Sequence, residues 1–221
     1  MDGNGRWAAQ RGKQRLEGHR AGTENIRRVL GALQSEGIKY VTLYAFSTEN
    51  WGRPDSEVKG LLGILGSVIK QEVGALHQQN IRIHHLGALE RIPSSLASAI
   101  KAAVKLTQRN NGLELCVAFD YGGRAELVRA MRNIAQALIR PEDINEETIR
   151  QALYLPDIPD PDLIIRTAGE HRLSNFLLWQ AAYSEYYQTS VLWPDFGDSE
   201  IRIALDEYAR RQRRFGRLPD A

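Results

Sequence analysis

Tyr40-Val41-Thr42-Leu43-Tyr44-Ala45-Phe46 runs straight into Ser47-Thr48-Glu49-Asn50-Trp51-Gly52-Arg53-Pro54, and from there into an amphipathic stretch over 57–79. The first segment is short, apolar and rich in β-branched and aromatic side chains, which reads as a buried strand. In the last, Val58, Leu61, Leu62, Leu65, Val68, Ile69, Val73 and Leu76 keep helical spacing. A strand, a polar loop and a helix make up the unit from which parallel sheets are built. The alternation recurs through the chain. Runs at 81–86, 113–119, 163–166, 176–179 and 191–193 read as further strands, and patterns at 19–36, 94–109, 124–139, 146–153 and 199–214 as helices. The spacing therefore predicts an α/β fold, one domain over 1–221 with a mostly parallel central sheet flanked by helices. In such sheets ligands bind beyond the carboxyl ends of strands. The conspicuous polar motifs lie where that rule puts them.

Composition narrows the function classes. With 221 residues, 43% hydrophobic and 25% charged, the chain matches an ordinary soluble globule. A net charge of +2 argues against nucleic acid as a partner. The single cysteine, Cys116, permits no internal disulfide and sits in an apolar run, so it reads as an inert core thiol. No apolar stretch approaches the roughly twenty residues that span a bilayer, and no signal peptide precedes Asp2, so the expected compartment is the cytoplasm.

Three motifs carry chemistry. The first, Met1-Asp2-Gly3-Asn4-Gly5-Arg6-Trp7, combines glycines that permit a tight turn with a carboxylate and a cation. Backbone N–H groups opening into a helix, with Arg6 beside them, suit a phosphate. Asp2 suits Mg²⁺, which takes one or two carboxylates plus the substrate's own phosphate oxygens. The second is the loop after 40–46, where Ser47 and Arg53 suit phosphate oxygens and Asn50 is placed to orient or relay a proton. Asp55 or Ser56 reads as the cap of the following helix. The third, Arg166-Thr167-Ala168-Gly169-Glu170-His171-Arg172-Leu173-Ser174-Asn175, again leaves a strand. Arg166, Arg172 and Ser174 make a second cluster of phosphate-type donors. Glu170 and Glu185 are candidate partners for a metal or for those arginines; a surface ion pair with Arg172 explains Glu170 equally well. Arg15, His19 and Tyr121-Gly122-Gly123-Arg124 support the picture. His77, His84 and His85 lack ligand spacing and read as structural. Two basic clusters in one small domain suggest two phosphorylated substrates. There is no GxxxxGK[ST] loop, Rossmann glycine fingerprint, GxSxG elbow or zinc signature. Cations and backbone donors without an evident nucleophile suit departure of diphosphate from an electrophilic carbon.

On these motifs the chain resembles the cis-prenyltransferases, typified by bacterial undecaprenyl diphosphate synthase. The matching stretches are MDGNGRWA, GHRAG, TLYAFSTENWGRP, DYGGR, DLIIRTAGEHRLSNFLLWQAAYSEYY and LWPDF, in order over almost the whole length. The DDxxD boxes of helical trans-prenyltransferases are absent, since Asp157, Asp160 and Asp162 are broken up by prolines. The resemblance implies a Mg²⁺-dependent transferase with a hydrophobic product tunnel. It would condense an allylic prenyl diphosphate, farnesyl or geranyl, with successive isopentenyl diphosphates in cis, releasing diphosphate and making a polyprenyl diphosphate such as undecaprenyl diphosphate. It further implies that Asp2 is the essential aspartate on Mg²⁺. Gly3, Asn4, Gly5, Arg6, Trp7, Arg15, His19, Ser47, Thr48, Glu49, Trp51 and Arg53 would hold the allylic diphosphate, with Asn50 as proton acceptor. Arg166, Arg172, Leu173 and Ser174 would hold isopentenyl diphosphate, and Glu185 would be a further metal ligand, reached from the partner or the same subunit. Relatives are usually homodimers, in which a tail like Arg214-Phe215-Gly216 completes a neighbour's site. A lipid product implies peripheral membrane contact.

Three departures carry expectations. In the family the first strand ends at the residue matching Asp2, and here nothing precedes Met1, so a sheet without that strand is expected to expose an apolar face and hold Asp2 loosely. Asp120 stands where Asn is usual, and Ala168 where glycine is common. Gly60, Gly63, Gly66 and Gly74 fall in the helix that lines the tunnel, where they either widen it or allow close packing. The alternative from another class is a non-catalytic prenyl-diphosphate-binding partner subunit, and a third is a phosphate-binding regulatory module.

Overall fold

Five strands, all paired in parallel, and seven α-helices form the described part of the chain, residues 1–211 of a computed structural model. The predicted tail motif Arg214-Phe215-Gly216 lies outside the described residues. In order the elements are α1 (Asn4–Gln10), α2 (Arg15–Ser35), β1 (Tyr40–Ser47), α3 (Asp55–Gln78), β2 (Arg82–Leu86), α4 (Ser94–Thr107), β3 (Glu114–Tyr121), α5 (Gly123–Gln136), α6 (Glu146–Ala152), β4 (Leu163–Arg166), β5 (Glu185–Gln188) and α7 (Asp198–Arg210). A 3₁₀ turn, Thr48–Gly52, joins β1 to α3. The strand–loop–helix unit read from Tyr40 onward is thus present. The helix expected over 146–153 is also real, with the N-cap Asn145 accepting from Thr148 N at 3.0 Å. The cap read at Asp55 or Ser56 falls instead on Pro54, and Asp55 and Glu57 occupy the first turn, where they favour the helix dipole.

Two predicted strands are not strands. In 176–179, Leu177 has φ 46°, following Ser174 at 52° and Asn175 at 63°, which a pleated strand does not accommodate. That segment is apolar because Phe176 stacks on Tyr44 with centroids 4.5 Å apart and Leu177 is buried. Residues 191–193 lead into a 3₁₀ turn whose Trp193 plugs the core beside Phe196. Strand β5, Glu-Tyr-Tyr-Gln, escaped the sequence reading because it is half exposed and polar at both ends.

The strand order β1-β3-β2 aligns Tyr40 and Arg82 with Glu114, and β4 pairs separately with β5, Leu163 opposite Glu185. A cavity of about 670 Å³ is lined by β1 and β4, including Val41, Leu43, Leu163 and Ile164. The central sheet is therefore in two parts, with an apolar cavity bordering both. Asp2 is nonetheless not loose. Its N–H donates to Thr167 Oγ1 at 2.9 Å, and its carbonyl accepts from Thr167 Oγ1 at 2.8 Å and from Trp193 N at 3.0 Å. Elsewhere the fully buried Glu126 knits distant segments. It accepts from Tyr121 Oη at 2.6 Å, Tyr154 N at 3.0 Å and Gln180 Nε2 at 3.1 Å.

Helix α3 packs Leu61, Leu62, Leu65 and Ile69 against Phe46, Ile92, Leu96, Ile100 and Phe119. Its glycines divide. A Cβ on Gly60 would lie 2.7 Å from Leu16 Cδ2, so Gly60 allows close approach of α2. Gly63 and Gly74 are exposed and would meet nothing within 4 Å, so neither widens an internal channel. Gly63→Ala is therefore expected to stabilise the fold by about 1 kcal/mol, the helix-propensity difference, read as a rise of roughly 2–4 °C in melting temperature.

Candidate active site

The amino-terminal turn is seated by glycines. Gly3 has φ 107°, and a Cβ there would lie 2.9 Å from Leu192 Cδ2. The turn presses on α2, where a Cβ on Gly18 would come within 2.0 Å of Asn4 O and one on Gly22 within 2.1 Å of Asn4 Oδ1. That is why a glycine flanks His19 on each side in Gly-His-Arg-Ala-Gly. The segment 192–196 closes the seat. Trp193 Nε1 donates to Gly22 O at 2.6 Å, Asn25 Nδ2 to Trp193 O at 2.6 Å, and Trp7 Nε1 to Asp195 Oδ1 at 2.7 Å. Trp7 thus anchors α1, with the Arg11 guanidinium 4.3 Å over its ring.

Beside this turn opens a cup of about 540 Å³ lined by Asp2, Asn4, Arg6, Lys13, Arg15, His19 and Arg53 among others. Glu57 holds its cations together. Its Oε1 accepts from Arg53 Nη1 at 2.9 Å, lies 3.1 Å from Arg15 Nε and stands 3.9 Å from His19 Nε2. Asn4 Oδ1 and His19 Nε2 are buried with no hydrogen-bond partner. Buried polar atoms are nearly always satisfied, so two orphans in one cationic cup mark a ligand site. Burial lowers the His19 pKa, and Arg53 and Arg15 push the same way against Glu57. The imidazole is therefore held neutral.

The turn after β1 forms the second wall. Asn50 Oδ1 accepts from Ser47 N at 3.0 Å, which fixes the amide in one orientation. Glu49 Oε1 accepts from Asn175 Nδ2 at 2.7 Å, and Arg124 N donates to Asn175 Oδ1 at 2.8 Å. A Cβ on Gly122 would lie 2.5 Å from Thr48 Oγ1. Thr48 and Glu49 thereby knit this turn to the start of α5 and to the third motif. Trp51 turns its indole N–H onto Asp120 Oδ1 at 2.8 Å.

The third motif meets the first. Arg166 Nε lies 3.0 Å from Asp2 Oδ2, and Glu170 bridges Arg6, at 2.8 Å, to Arg172. Both arginines on Glu170 are more than half exposed, so these bonds position side chains and add little stability. Ser174 lies in the left-handed region, and Leu173 packs beneath with Phe176 near Tyr44 and Tyr121. The two basic clusters read separately from sequence therefore share one rim. Glu185 stands apart from that rim. It opens β5 opposite Leu163, three residues before Gln188 pairs with Arg166, hence about 10 Å along the strand, and its Oε2 takes Arg211 Nη1 at 2.9 Å. Among the described residues no three His, Cys, Asp or Glu side chains cluster as a metal cage. Thr167, Asn175 and the anchoring role of Glu57 were missed from sequence. The Asn175 φ of 63° is one asparagine tolerates better than most residues, a signal that structure alone makes readable.

A parallel α/β sheet with two arginine clusters on one rim above apolar walls suits a transferase whose leaving group is a phosphorylated anion. The comparisons agree. Residues 1–216 match the family described as "Putative undecaprenyl diphosphate synthase", and the chain belongs to that prenyltransferase family. It is 47% identical over 220 residues to the isoprenyl transferase of Clostridium perfringens, covering 98% of this chain and 87% of that one. Identity to the isoprenyl transferase of Heliobacterium mobile is 48% over 220 residues, covering 98% and 85%. Among solved structures, lavandulyl diphosphate synthase from Lavandula x intermedia, in complex with dimethylallyl diphosphate, superposes with a TM-score of 0.94 at 38% identity, covering 98% and 95%. A probable undecaprenyl diphosphate synthase from Campylobacter jejuni gives 0.82 at 31% identity, covering 89% and 92%.

Two outcomes follow from the site. Gly18→Ala drives a methyl into the Asn4 carbonyl and is expected to cost roughly 1–3 kcal/mol, together with loss of diphosphate binding, read by thermal melting and calorimetry. Because the folded His19 pKa lies below its unfolded value of about 6.5, its contribution is intact above that pH and is lost as pH falls toward the folded value. Denaturant melts below about pH 6.5 should show wild type losing more stability than His19→Gln.

Proposed function

We propose that this chain condenses an allylic prenyl diphosphate with successive isopentenyl diphosphates in cis, releasing diphosphate. The observation that carries the reading is the Arg6–Glu170–Arg172 bridge together with the Asp2–Arg166 pair, which set two anion-binding clusters side by side. The cup of Arg6, Arg15, His19 and Arg53 takes the allylic diphosphate, and Arg166, Arg172 and Ser174 take the isopentenyl diphosphate. As the allylic carbon–oxygen bond breaks, its electron pair leaves with the diphosphate, whose charge the arginines stabilise. The new carbon–carbon bond forms at the isopentenyl methylene, and the proton lost from the carbon adjacent to the resulting cation is relayed by Asn50, whose amide Ser47 holds oriented, to the released diphosphate. Apolar walls exclude water from the developing cation.

Mg²⁺ fits this donor set as a substrate-borne ion. Asp2 offers one partly exposed carboxylate with no protein cage around it, which matches an ion carried largely by diphosphate oxygens and water. When bound it neutralises diphosphate charge. Asp2, beside Arg166, would hold it. No helix among the described residues is long and apolar enough to cross a membrane. We further propose a cytoplasmic homodimer that touches membranes only through its lipid product. The partner-subunit reading is not favoured, since Asp2, Asn50, Arg53, Arg166 and Arg172 are all retained and gathered at the site.

The test uses labelled isopentenyl diphosphate, farnesyl diphosphate and Mg²⁺ with chain-length analysis. Extension is expected, and Asp2→Ala should abolish it. Arg172→Ala should raise KM for isopentenyl diphosphate by about tenfold, the loss of one charge-assisted contact. Failure of the wild-type chain to extend any primer would overturn the reading.

A further inference from the structure

Asp120, like Glu126, is a buried carboxylate that the scheme above leaves without a task. It is 1% exposed and sits with φ 50° where β3 gives way to α5, a conformation aspartate tolerates better than most residues. Its two oxygens are fully engaged. Oδ1 accepts from Trp51 Nε1 at 2.8 Å and from Arg91 Nη2, and Oδ2 accepts from Arg91 Nε at 3.1 Å. The Arg91 guanidinium also stands 5.5 Å over the Trp51 ring, which meets Phe46 edge-on at 5.3 Å. The backbone joins in, since Asp120 O accepts from Ala88 N at 3.1 Å, drawing the 87–91 loop against the end of β3.

Trp51 is not an isolated anchor. It lies between Asn50 and Arg53 in the 3₁₀ turn Thr48–Gly52, and that turn is short enough that moving the indole moves both neighbours. The turn is tied to the body through Glu49 to Asn175, an exposed bond, and through this part-buried bond to a carboxylate. A carboxylate suits the position better than an amide. It offers one oxygen to the indole and a second to the fork of Arg91, whereas an amide would turn an NH₂ toward the guanidinium.

We propose that Asp120 is a positioning residue for the allylic site, acting through the Trp51 indole to fix the turn that carries Asn50 and Arg53. This rests on the allylic-diphosphate reading of the cationic cup. Arg91 is the counter-ion that permits the carboxylate to stay buried.

The experiment compares Asp120→Asn, Trp51→Phe and the double variant in steady-state kinetics, with the Trp51 indole resonance followed by ¹H–¹⁵N NMR and assigned by its absence in Trp51→Phe. Asp120→Asn should raise KM for the allylic diphosphate by about tenfold, the weight of one charge-assisted bond, and move the indole resonance upfield. KM for isopentenyl diphosphate should stay within about twofold, and the double variant should be no worse than the worse single, as for two members of one chain of contacts. Equal shifts in both KM values alongside a lowered melting temperature, or an unmoved indole resonance, would overturn the proposal. Should Asp120→Asn not fold, Trp51→Phe alone must raise the allylic KM at an unchanged melting temperature, and its failure to do so counts against the proposal. If the wild-type chain extends no primer, the substrate reading falls. The indole resonance and calorimetric binding of inorganic diphosphate to the same variants then decide whether Asp120 sets the turn.

Discussion

Mutual repulsion of cations is the constraint to which this structure answers. Arg6, Lys13, Arg15, Arg53, Arg166 and Arg172 line two adjoining cavities, and left alone they would spread apart. Three carboxylates oppose it: Glu57 and Glu170 each sit between two arginines from different segments, and Asp2 pairs with Arg166. Glu57 joins α2 to the turn before α3, Asp2 joins the amino terminus to the end of β4, and Glu170 joins α1 to the loop after β4. The amino-terminal segment, the turn after β1 and the loop after β4 are held by these contacts, which cross more than a hundred residues of sequence in two of the three cases.

Backbone geometry supports that arrangement from below. Gly18 and Gly22 let α1 and its preceding turn sink into α2, and the Trp193 indole closes against the Gly22 carbonyl. Asp120 and Glu126, both buried and both fully paired, tie the loops at the carboxyl ends of the strands to β3 and α5. The rim is thus a set of irregular loops made rigid by polar bonds that run into the protein interior, where lost bonds would be costly.

Much of this was legible in the residues. Strands β1 to β4 and the long helices follow from hydrophobic periodicity, because a strand buried under helices is apolar throughout and an outer helix is apolar on one stripe. The motifs at 1–7, 47–54 and 166–175 were found because arginine, glycine and asparagine crowd there without a packing role. What stayed hidden depends on approach in space. Phe176 and Leu177 imitate a strand since side-chain burial alone does not report φ, and β5 is concealed by its polar ends. Glu185 shares a motif with the site in sequence yet lies at the far end of its strand, which only the β4–β5 register reveals. Gly63 and Gly74 seemed to belong to an interior channel because spacing does not say which helix face looks outward.

Glu57 has a consequence for how ligands arrive. Two of the cup's arginines, Arg15 and Arg53, already share a carboxylate partner, so any anion that binds them competes with Glu57. With a chain-wide charge of only +2, little attraction reaches beyond a Debye length into solvent. Selectivity then rests on that competition, in which a multiply charged anion gains more from the same arginines than a singly charged one.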